Sequence, residues 1–331
     1  NSALVELEGG FTETVNLHFG EGISEHGIDL ELNLGETTDW DLNVAHNSST
    51  INIDAQGNEN NLDSGFFGGQ LRFLNISGDG AFSVTDDISE SFLENRPAVI
   101  DASENLGGVD LTFDAHDDNL TFIGSQGDDH FNAGAGSGMD DVINGNVTVD
   151  LTAGGSNIVE IWDGEHLDVT GSNEMSYYDF MYADTVALNA GSDTDYVYVG
   201  QMQEAVLNLG DGENAAFVEG MFLGSTIDIT AGADDDQLVV QDDFYDYERG
   251  SGDDLIEHNF SDLDITIDAG GGDNWIYASG ASIDITTEDG NDTVIIDGTN
   301  DPDYDDARNY FDEIQNFVDD LDLFYNAALI N

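Results

Sequence analysis

Apolar and polar residues alternate over short stretches along most of this chain. Ile265, Ile267 and Ala269 are spaced two residues apart, and the same spacing returns at Val294 and Ile296. A period of two places the apolar residues on one face of a β-strand. Two such stretches flank a phrase rich in glycine and acid, so the pattern predicts pairs of short strands joined by sharp turns.

The glycine and acid phrase itself repeats along the chain. It reads Arg-Gly-Ser-Gly-Asp-Asp-Leu-Ile at 249–256, Ala-Gly-Gly-Gly-Asp-Asn-Trp-Ile at 269–276 and Thr-Glu-Asp-Gly-Asn-Asp-Thr-Val at 287–294. Position 6 is an acid or an amide, and a glycine falls at position 2 or 4. Position 6 is occupied by Asp39, Asp129, Asp140, Asp195, Asn214, Asp236, Asp254, Asn274 and Asp292, with less regular versions at Asn60, Asn119 and Asn157. The phrase at 171–175 keeps its glycine and lacks a ligand.

From Asp195 onward the phrase returns about every 18 to 22 residues. A period of this size predicts a solenoid, in which each repeat is one coil that buries its apolar face against the neighbouring coils. The predicted fold class is therefore all-β, a parallel β-roll or β-helix with coils of about 18–22 residues. We expect strands in residues 1–30 that cap the solenoid or contact another subunit, the solenoid itself over 31–300, and a C-terminal cap with a short helix over 301–331.

Two interpretations of position 6 are open. Asp and Asn suit tight turns and bond to the local backbone, so a ladder of side-chain hydrogen bonds explains this position without a metal. The excess of acid favours a second interpretation, because the run Asp234-Asp235-Asp236 is followed by further acids in the next phrases. Carboxylates stacked ~5 Å apart would repel one another. A hard cation with oxygen ligands, such as Ca²⁺, would remove that repulsion.

The net charge of the chain also agrees with a bound cation. The 331 residues include 71 Asp and Glu, four arginines and no lysine, which gives a formal net charge of −67. This charge makes nucleic acid and anionic membranes poor partners. Salt adaptation and divalent cation binding both account for it. The chain has no cysteine, which excludes disulfides and thiolate metal sites, and no apolar run is long enough to insert into a membrane.

Residues 124–132, Gly-Ser-Gln-Gly-Asp-Asp-His-Phe-Asn, resemble the calcium-binding nonapeptide of RTX (repeats-in-toxin) proteins, and residues 135–143 repeat it more loosely. The stretch 312–323 is also similar to the segment that closes many RTX blocks. The resemblance implies a parallel β-roll with Ca²⁺ between turns, held by the position 6 Asp and by backbone carbonyls. It also implies type I secretion and an extracellular or cell-surface location.

The resemblance carries over to individual positions. The implied metal site consists of Asp39, Gly127, Asp129, Gly138, Asp140, Asp195, Asp236, Gly252, Asp254, Gly272, Asn274, Gly290 and Asp292. The amides Asn214 and Asn274 depart from the family pattern, so weaker or empty sites are expected there. Most coils hold one recognisable nonapeptide, which is most similar to the repeats of bacterial surface-layer, adhesin and matrix proteins.

No catalytic motif stands out in the sequence. The chain has neither the H-E-x-x-H zinc motif nor a G-x-S-x-G nucleophile elbow, so we do not expect an enzyme. The predicted function is structural: a calcium-stabilised, extracellular solenoid that assembles with copies of itself into a surface layer, filament or matrix. The alternative is a carbohydrate-active enzyme or polysaccharide-binding module on a β-helix, with a cell-surface polysaccharide as a further candidate partner.

Overall fold

The computed structural model describes residues 3–8, 14–19, 27–34, 41–45, 49–68, 71–84, 98–113, 119–134, 145–219, 225–241 and 263–297. Within these ranges the regular elements are all β-strands, and no helix there is long and apolar enough to cross a membrane. The predicted C-terminal helix lies outside the described residues.

The strands form the two faces of a solenoid. The first face contains β1 (Ala3–Glu8), β3 (Ile28–Asn33), β5 (Thr50–Ala55), β8 (Phe73–Gly78), β10 (Ala98–Asn105), β12 (Leu120–Ile123), β14 (Asn146–Asp150), β18 (Glu204–Gly210), β20 (Thr226–Ala231), β22 (Asp264–Asp268) and β24 (Ser282–Thr286). The second face contains β6 (Glu59–Leu62), β9 (Ala81–Val84), β11 (Val109–Phe113), β13 (His130–Ala133), β17 (Asp195–Gly200), β19 (Ala215–Glu219), β21 (Gln237–Gln241), β23 (Trp275–Ser279) and β25 (Thr293–Asp297).

Two long strands join these faces. β15 (Ile158–Thr170) and β16 (Ser176–Asn189) pair with strands of both faces, so the two faces form one continuous sheet. A separate sheet near the N-terminus consists of β2 (Val15–His18), β4 (Asp41–Ala45) and β7 (Ser64–Gly68). The described strand pairs are parallel, and each strand pairs with its counterpart in the next coil. The predicted all-β parallel solenoid is therefore confirmed, with about ten turns.

The core lies between the two faces and is built from columns of inward side chains. Along β20, Ile227 and Ile229 are buried while Thr226 and Asp228 are exposed, as the period of two predicts. Ile227 lies directly below Ile265 of the next coil. Each coil thus adds one apolar layer to a shared core, and a single repeat could not bury its apolar face without its neighbours.

The outward side chains of the first face separate the charges. Asp228 lies beside Thr266, which lies beside Asp284 in the next coil. The flanking columns are Thr226, Asp264 and Ser282 on one side and Thr230, Asp268 and Thr286 on the other. A carboxylate in this region therefore has a hydroxyl side chain in the adjacent coil, which keeps like charges from facing each other directly.

Coil length departs from the prediction at two places. β21 pairs directly with β23, so Asp236 and Asn274 lie in adjacent coils although they are 38 residues apart. The expected steps of 18 and 20 residues through Asp254 are therefore wrong, because the paired strands leave no rung between them. Asp129 and Asn157 are likewise in adjacent coils, 28 residues apart.

Candidate metal centre in the polar ladder

A column of polar side chains runs along one corner of the solenoid, where the second face begins. This polar ladder consists of Asp129, Asn157, Ser176, Asp195, Asn214, Asp236, Asn274 and Asp292. A side-chain oxygen of each member accepts a hydrogen bond from a backbone N–H of the preceding coil. The distances from Asp195, Asn214 and Asp236 to their donors are each 2.9 Å. The ladder therefore ties consecutive coils together inside the corner.

Glycine lets the corner backbones stack closely enough for this ladder. Gly272 has φ +91°, a conformation that side chains disfavour, and a Cβ there would overlap the carbonyl oxygen of Asp234 in the preceding coil. Gly210, with φ +75°, meets the carbonyl of Gly191 in the same way. The repeated glycine of the phrase is therefore required by both conformation and space.

The amide members of the ladder satisfy the corner completely. Asn214 Nδ2 donates to the carbonyl oxygens of Gly210, at 3.3 Å, and Gly212, at 3.0 Å. Equivalent bonds run from Asn157 to Gly154 and Gly155 and from Asn274 to Gly271 and Gly272. An amide in these coils thus bonds the preceding coil through its oxygen and its own turn through its nitrogen.

Asp195 and Asp236 lack the hydrogen bonds to the turn carbonyls that the amide members make. Both side chains are buried, and each uses Oδ1 to accept from the preceding coil. Their Oδ2 atoms are buried and have no hydrogen-bond partner. By the offset seen at Asn214, the turn carbonyls of the Asp195 coil are those of Gly191 and Asp193. A carboxylate oxygen beside carbonyl oxygens requires a proton or a cation, because all of them are acceptors.

Burial controls the protonation of these two acids. It raises the pKa of Asp195 to about 8, and the charge of Asp193 adds to this, although the hydrogen bond from Ser176 opposes it. Burial likewise raises the pKa of Asp236 to about 7; hydrogen bonds from the backbone and the side chain of Asn214 oppose this shift, and the charges of Asp234 and Asp235 add to it. Both acids therefore lose their protons only around neutral pH, far above the range of an ordinary aspartate, unless a cation replaces the proton.

Asp129 does not fit a cation, although it lies in the phrase most similar to the RTX nonapeptide. Its Oδ2 accepts from Ser125 N at 2.7 Å, and its Oδ1 accepts from Ser125 Oγ at 2.6 Å and from Val109 N at 3.0 Å. Burial raises its pKa to about 6 despite these bonds. Ser125 stands at position 2, where the nonapeptide has glycine, and its side chain fills the acceptor sites that a metal would use.

Asp292 has a different environment from the buried acids. Its Oδ1 accepts from Asn274 N at 3.1 Å and from Asn274 Nδ2 at 3.0 Å. The backbone hydrogen bond from Asn274 is the main cause that lowers its pKa. It is half-buried, so it stays charged without the demand for a partner that Asp195 and Asp236 have.

No two acids are neighbours along the ladder. An amide or a hydroxyl separates each pair of aspartates among the eight members, as Asn214 separates Asp195 from Asp236. The expectation that carboxylates stack ~5 Å apart is therefore wrong in this column. The demand for a cation comes instead from burial and from the two unpartnered oxygens.

The other implied site residues divide into two groups. Gly127, Gly272 and Gly290 lie at corners where a Cβ would meet the backbone of the preceding coil. The remaining members, Asp39, Gly138, Asp140, Gly252 and Asp254, lie outside the described residues.

Sequence reasoning missed one ladder member. Ser176 takes the position at which the 171–175 phrase lacks a ligand, and its Oγ accepts from Asn157 N at 3.3 Å. Only the spacing of 19 residues on either side could have identified it. Asn60 bonds Leu34 N in the manner of a ladder member, whereas Asn119 bonds Asn146 N on the first face.

Each acidic position of the ladder offers a cation one carboxylate. In the described part of the chain, no group of three or more His, Asp or Glu side chains is arranged to hold a metal ion. A cation beside Asp195 or Asp236 would therefore take one carboxylate together with backbone carbonyls. Ca²⁺ accepts such a set because it binds six to eight oxygens in flexible geometry.

A second polar cluster lies on the outer surface of the second face. His130 contacts Asp110 at 3.0 Å and Glu160 at 3.1 Å, and Asn132 Nδ2 donates to Glu160 at 2.8 Å. Burial lowers the pKa of His130, but the two carboxylates outweigh it and raise the pKa to about 10. Burial and the charge of Glu160 raise the pKa of the neighbouring Asp179 to about 7.

The chain matches no protein-family model, and no curated protein or solved structure matches it significantly. The parallel solenoid is compatible with an RTX-type β-roll.

Proposed function

We propose that this chain is a structural protein of the cell exterior, in which Ca²⁺ stabilises the corners of an RTX-like β-roll. In this proposal the solenoid assembles with copies of itself into a surface layer, filament or matrix. Export by type I secretion is part of the same proposal and rests on the resemblance of residues 124–132 to the family.

One observation carries the calcium proposal. The Oδ2 atoms of Asp195 and Asp236 are buried without a partner, at the place where Asn214 puts an NH₂ group against two carbonyls. An unpaired buried acceptor destabilises a fold by about 1–3 kcal/mol. A divalent cation satisfies the carboxylate and the carbonyls together, and it also neutralises part of a net charge of −67.

Removal of calcium tests the proposal. We expect EGTA at low ionic strength to reduce the β signal in circular dichroism strongly, and Ca²⁺ to restore it while Mg²⁺ restores less. Electron microscopy of the same samples should show ordered assemblies only with Ca²⁺. A β signal that is unchanged by EGTA would contradict the calcium proposal and leave salt adaptation as the explanation of the charge.

The carbohydrate-active alternative has one observation in its favour. Glu160 and Asp179 lie side by side in adjacent coils, and their pKa values move in opposite directions: burial raises that of Glu160, but hydrogen bonds to His130 lower it overall. Such a divergence is typical of an acid and base pair. Release of reducing sugar from neutral polysaccharides, abolished in Glu160→Gln, would support this alternative. No release above that of Glu160→Gln would exclude it for the polysaccharides assayed.

A further inference from the structure

The corner of the solenoid that holds the polar ladder differs between its two halves. In the N-terminal half, from β5 to β16, the corner side chains that the structure describes have hydrogen-bond partners within the protein. These side chains are those of Asn60, Asn105, Asp129, Asn157 and Ser176. In the C-terminal half, from β17 to β25, the corner contains the two buried oxygens without a partner, on Asp195 and Asp236. The two halves therefore differ in their need for a cation.

Asn105 illustrates the corners of the N-terminal half. It is fully buried, and its Oδ1 accepts from Gly107 N at 3.0 Å and from Gly108 N at 2.9 Å. Its Nδ2 donates to the carbonyl oxygen of Gly80 in the preceding coil at 2.9 Å. Asp129 is the only acid among these five corner residues, and both of its oxygens accept hydrogen bonds from Ser125. None of the five requires a metal ion to complete its bonding.

A histidine links three consecutive coils on the outer surface of the N-terminal half. His130 in β13 contacts Asp110 of β11 through Nδ1 at 3.0 Å and Glu160 of β15 through Nε2 at 3.1 Å. Because an ionised carboxylate only accepts hydrogen bonds, both ring nitrogens carry a proton, and the imidazolium balances part of the charge of its two neighbours. These coils therefore obtain a counter-ion from the chain itself.

The two longest strands lie where the halves meet. β15 and β16 have 13 and 14 residues, and eleven residue pairs join them between Ile158 and Thr170. Tyr178 of β16 is fully buried, and its hydroxyl donates to the carbonyl oxygen of Ala190 at 3.2 Å. Coupling in a solenoid is strongest between adjacent coils, so β16 keeps its pairing with β15 when the coils after it open. β16 thus offers an edge for the parallel pairing of β17 and β18.

Among the described residues of the N-terminal half, one more carboxylate has a buried oxygen without a partner, but it lies away from the corner. This oxygen is Oδ1 of Asp179, in the middle of β16 and on the outer surface beside Glu160. The backbone carbonyls around it serve the pairing of β16 with β15 and β17, so the turn carbonyls that would complete a cation site at the corner are not there. The effect of Asp179 on stability should therefore be the same with and without Ca²⁺.

We propose that calcium controls the folding of the C-terminal half alone. Without it the coils from β5 to β16 remain folded and the coils from β17 to β25 open, and binding of Ca²⁺ beside Asp195 and Asp236 folds them back onto β16. The inference rests on the calcium part of the proposed function and specifies which coils the metal regulates. The described solenoid then consists of two units that open separately.

Hydrogen exchange of the whole chain, measured by mass spectrometry, tests this division. Wild-type protein is compared in 5 mM Ca²⁺ and in 5 mM EGTA, at low ionic strength and pH 8.5. This pH lies above the pKa of about 8 for Asp195 and of about 7 for Asp236, so most of both acids is ionised when no cation is bound. In EGTA we expect amides in the strands from β17 to β23 to exchange at least about ten-fold faster, and those in the strands from β10 to β16 to change by less than about two-fold.

Two double variants assign the effect to the corners. Asp195→Asn/Asp236→Asn supplies the missing NH₂ groups, so the C-terminal half should keep its protection in EGTA. Asp228→Asn/Asp284→Asn removes the same number of carboxylates from exposed positions of the same half, and it should lose protection as wild type does. The melting temperature of each variant in Ca²⁺ confirms that it is folded.

Asn157→Asp is the reverse change in the N-terminal half. It places an acid opposite the carbonyl oxygens of Gly154 and Gly155, which Asn157 Nδ2 now bonds. We expect the exchange of β15 to become sensitive to EGTA in this variant. The same exchange of β15 in EGTA and in Ca²⁺ would overturn the role assigned to the corner residue.

The other outcomes separate this inference from the proposed function. Loss of protection in all described strands together would overturn the division into halves and leave calcium stabilisation intact. Loss of protection in Asp195→Asn/Asp236→Asn equal to that of wild type would overturn the assignment to these two corners. Exchange that EGTA changes in no strand would overturn the calcium proposal itself, and this inference with it.

Discussion

Asp and Asn are nearly isosteric, yet they complete the corner of this solenoid differently. Asn214 brings its own donor to the turn carbonyls, whereas Asp195 and Asp236 must take up a proton or a cation. In these three coils the residue at position 6 therefore decides whether the corner needs a proton or a cation.

Exchange of these residues gives the first prediction. In EGTA at pH 8, we expect Asp195→Asn to raise the free energy of unfolding by about 1–3 kcal/mol, since its new NH₂ group can bond the carbonyls. Asn214→Asp is the matched reverse change and should lower it by a similar amount. Urea unfolding followed by circular dichroism measures both. A loss of stability in Asp195→Asn would show that the carboxylate is satisfied as it stands.

The second prediction concerns pH. Burial raises the pKa of Asp195 to about 8 and that of Asp236 to about 7, from an ordinary value of 3.8, so the folded protein binds these protons more tightly than the unfolded chain does. Their stabilising effect is complete below pH 3.8 and is lost as pH rises through 7 to 8.

In EGTA we therefore expect wild type to melt at a higher temperature at pH 5 than at pH 8.5. The double variant Asp195→Asn/Asp236→Asn controls for general charge repulsion and should show a smaller difference. Ca²⁺ should reduce the difference in wild type, because it stabilises the charged form. Equal pH dependence in both proteins would argue against buried, protonated acids.

The third prediction separates two adjacent glycines. Gly272→Ala is strained at φ +91° and would overlap the carbonyl of Asp234, whereas Gly271 has ordinary space, with its nearest contact at 3.5 Å. We expect Gly272→Ala to lower the free energy of unfolding by more than about 2 kcal/mol and Gly271→Ala by less than about 1 kcal/mol. Urea unfolding in saturating Ca²⁺ measures both, and equal effects would contradict the close stacking of the corners.

At the scale of the strands, the register of pairing keeps carboxylates on the first face out of direct contact with one another. Asp228, Thr266 and Asp284 share an outward column, so Thr266→Asp would place three carboxylates in a row. We expect this variant to lose about 0.5–1 kcal/mol per new like-charged contact at low salt, and to recover most of it in 1 M NaCl. Thr266→Asn is the neutral control. A loss that is independent of salt would point to packing instead of charge.

The positions of the strands could be predicted from the sequence, whereas the lengths of the coils could not. Alternation of apolar residues predicted β22 and β25 correctly, because burial of one face of a strand leaves a period of two in the sequence. The number of residues between coils was harder to predict. The sequence between β21 and β22 contains the glycine and acid phrase at 249–256, which predicts a further coil, yet β21 pairs directly with β23. Ser176 was missed for the opposite reason, since its coil keeps the ladder bond without the acid or amide that marks the phrase.

At the scale of the whole molecule, two terms oppose each other. Burial of a continuous apolar core between stacked coils stabilises the fold. The carboxylates that give the chain its net charge of −67 repel one another and destabilise it. Separation of the acids within the ladder and on the outer face reduces this repulsion without neutralising it. Cations at the corners would remove the repulsion that remains, which would make the stability of the fold depend on the ions in the surrounding solution.

Calorimetric titration of metal-free protein with Ca²⁺ tests the central claim most directly. At pH 7.5 and 150 mM NaCl, wild type should bind two more Ca²⁺ ions per chain than Asp195→Asn/Asp236→Asn, with the two proteins otherwise equally folded. Calcium binding with the same stoichiometry and affinity in both proteins would contradict the account, because the unpartnered oxygens of Asp195 and Asp236 would then hold protons and no metal.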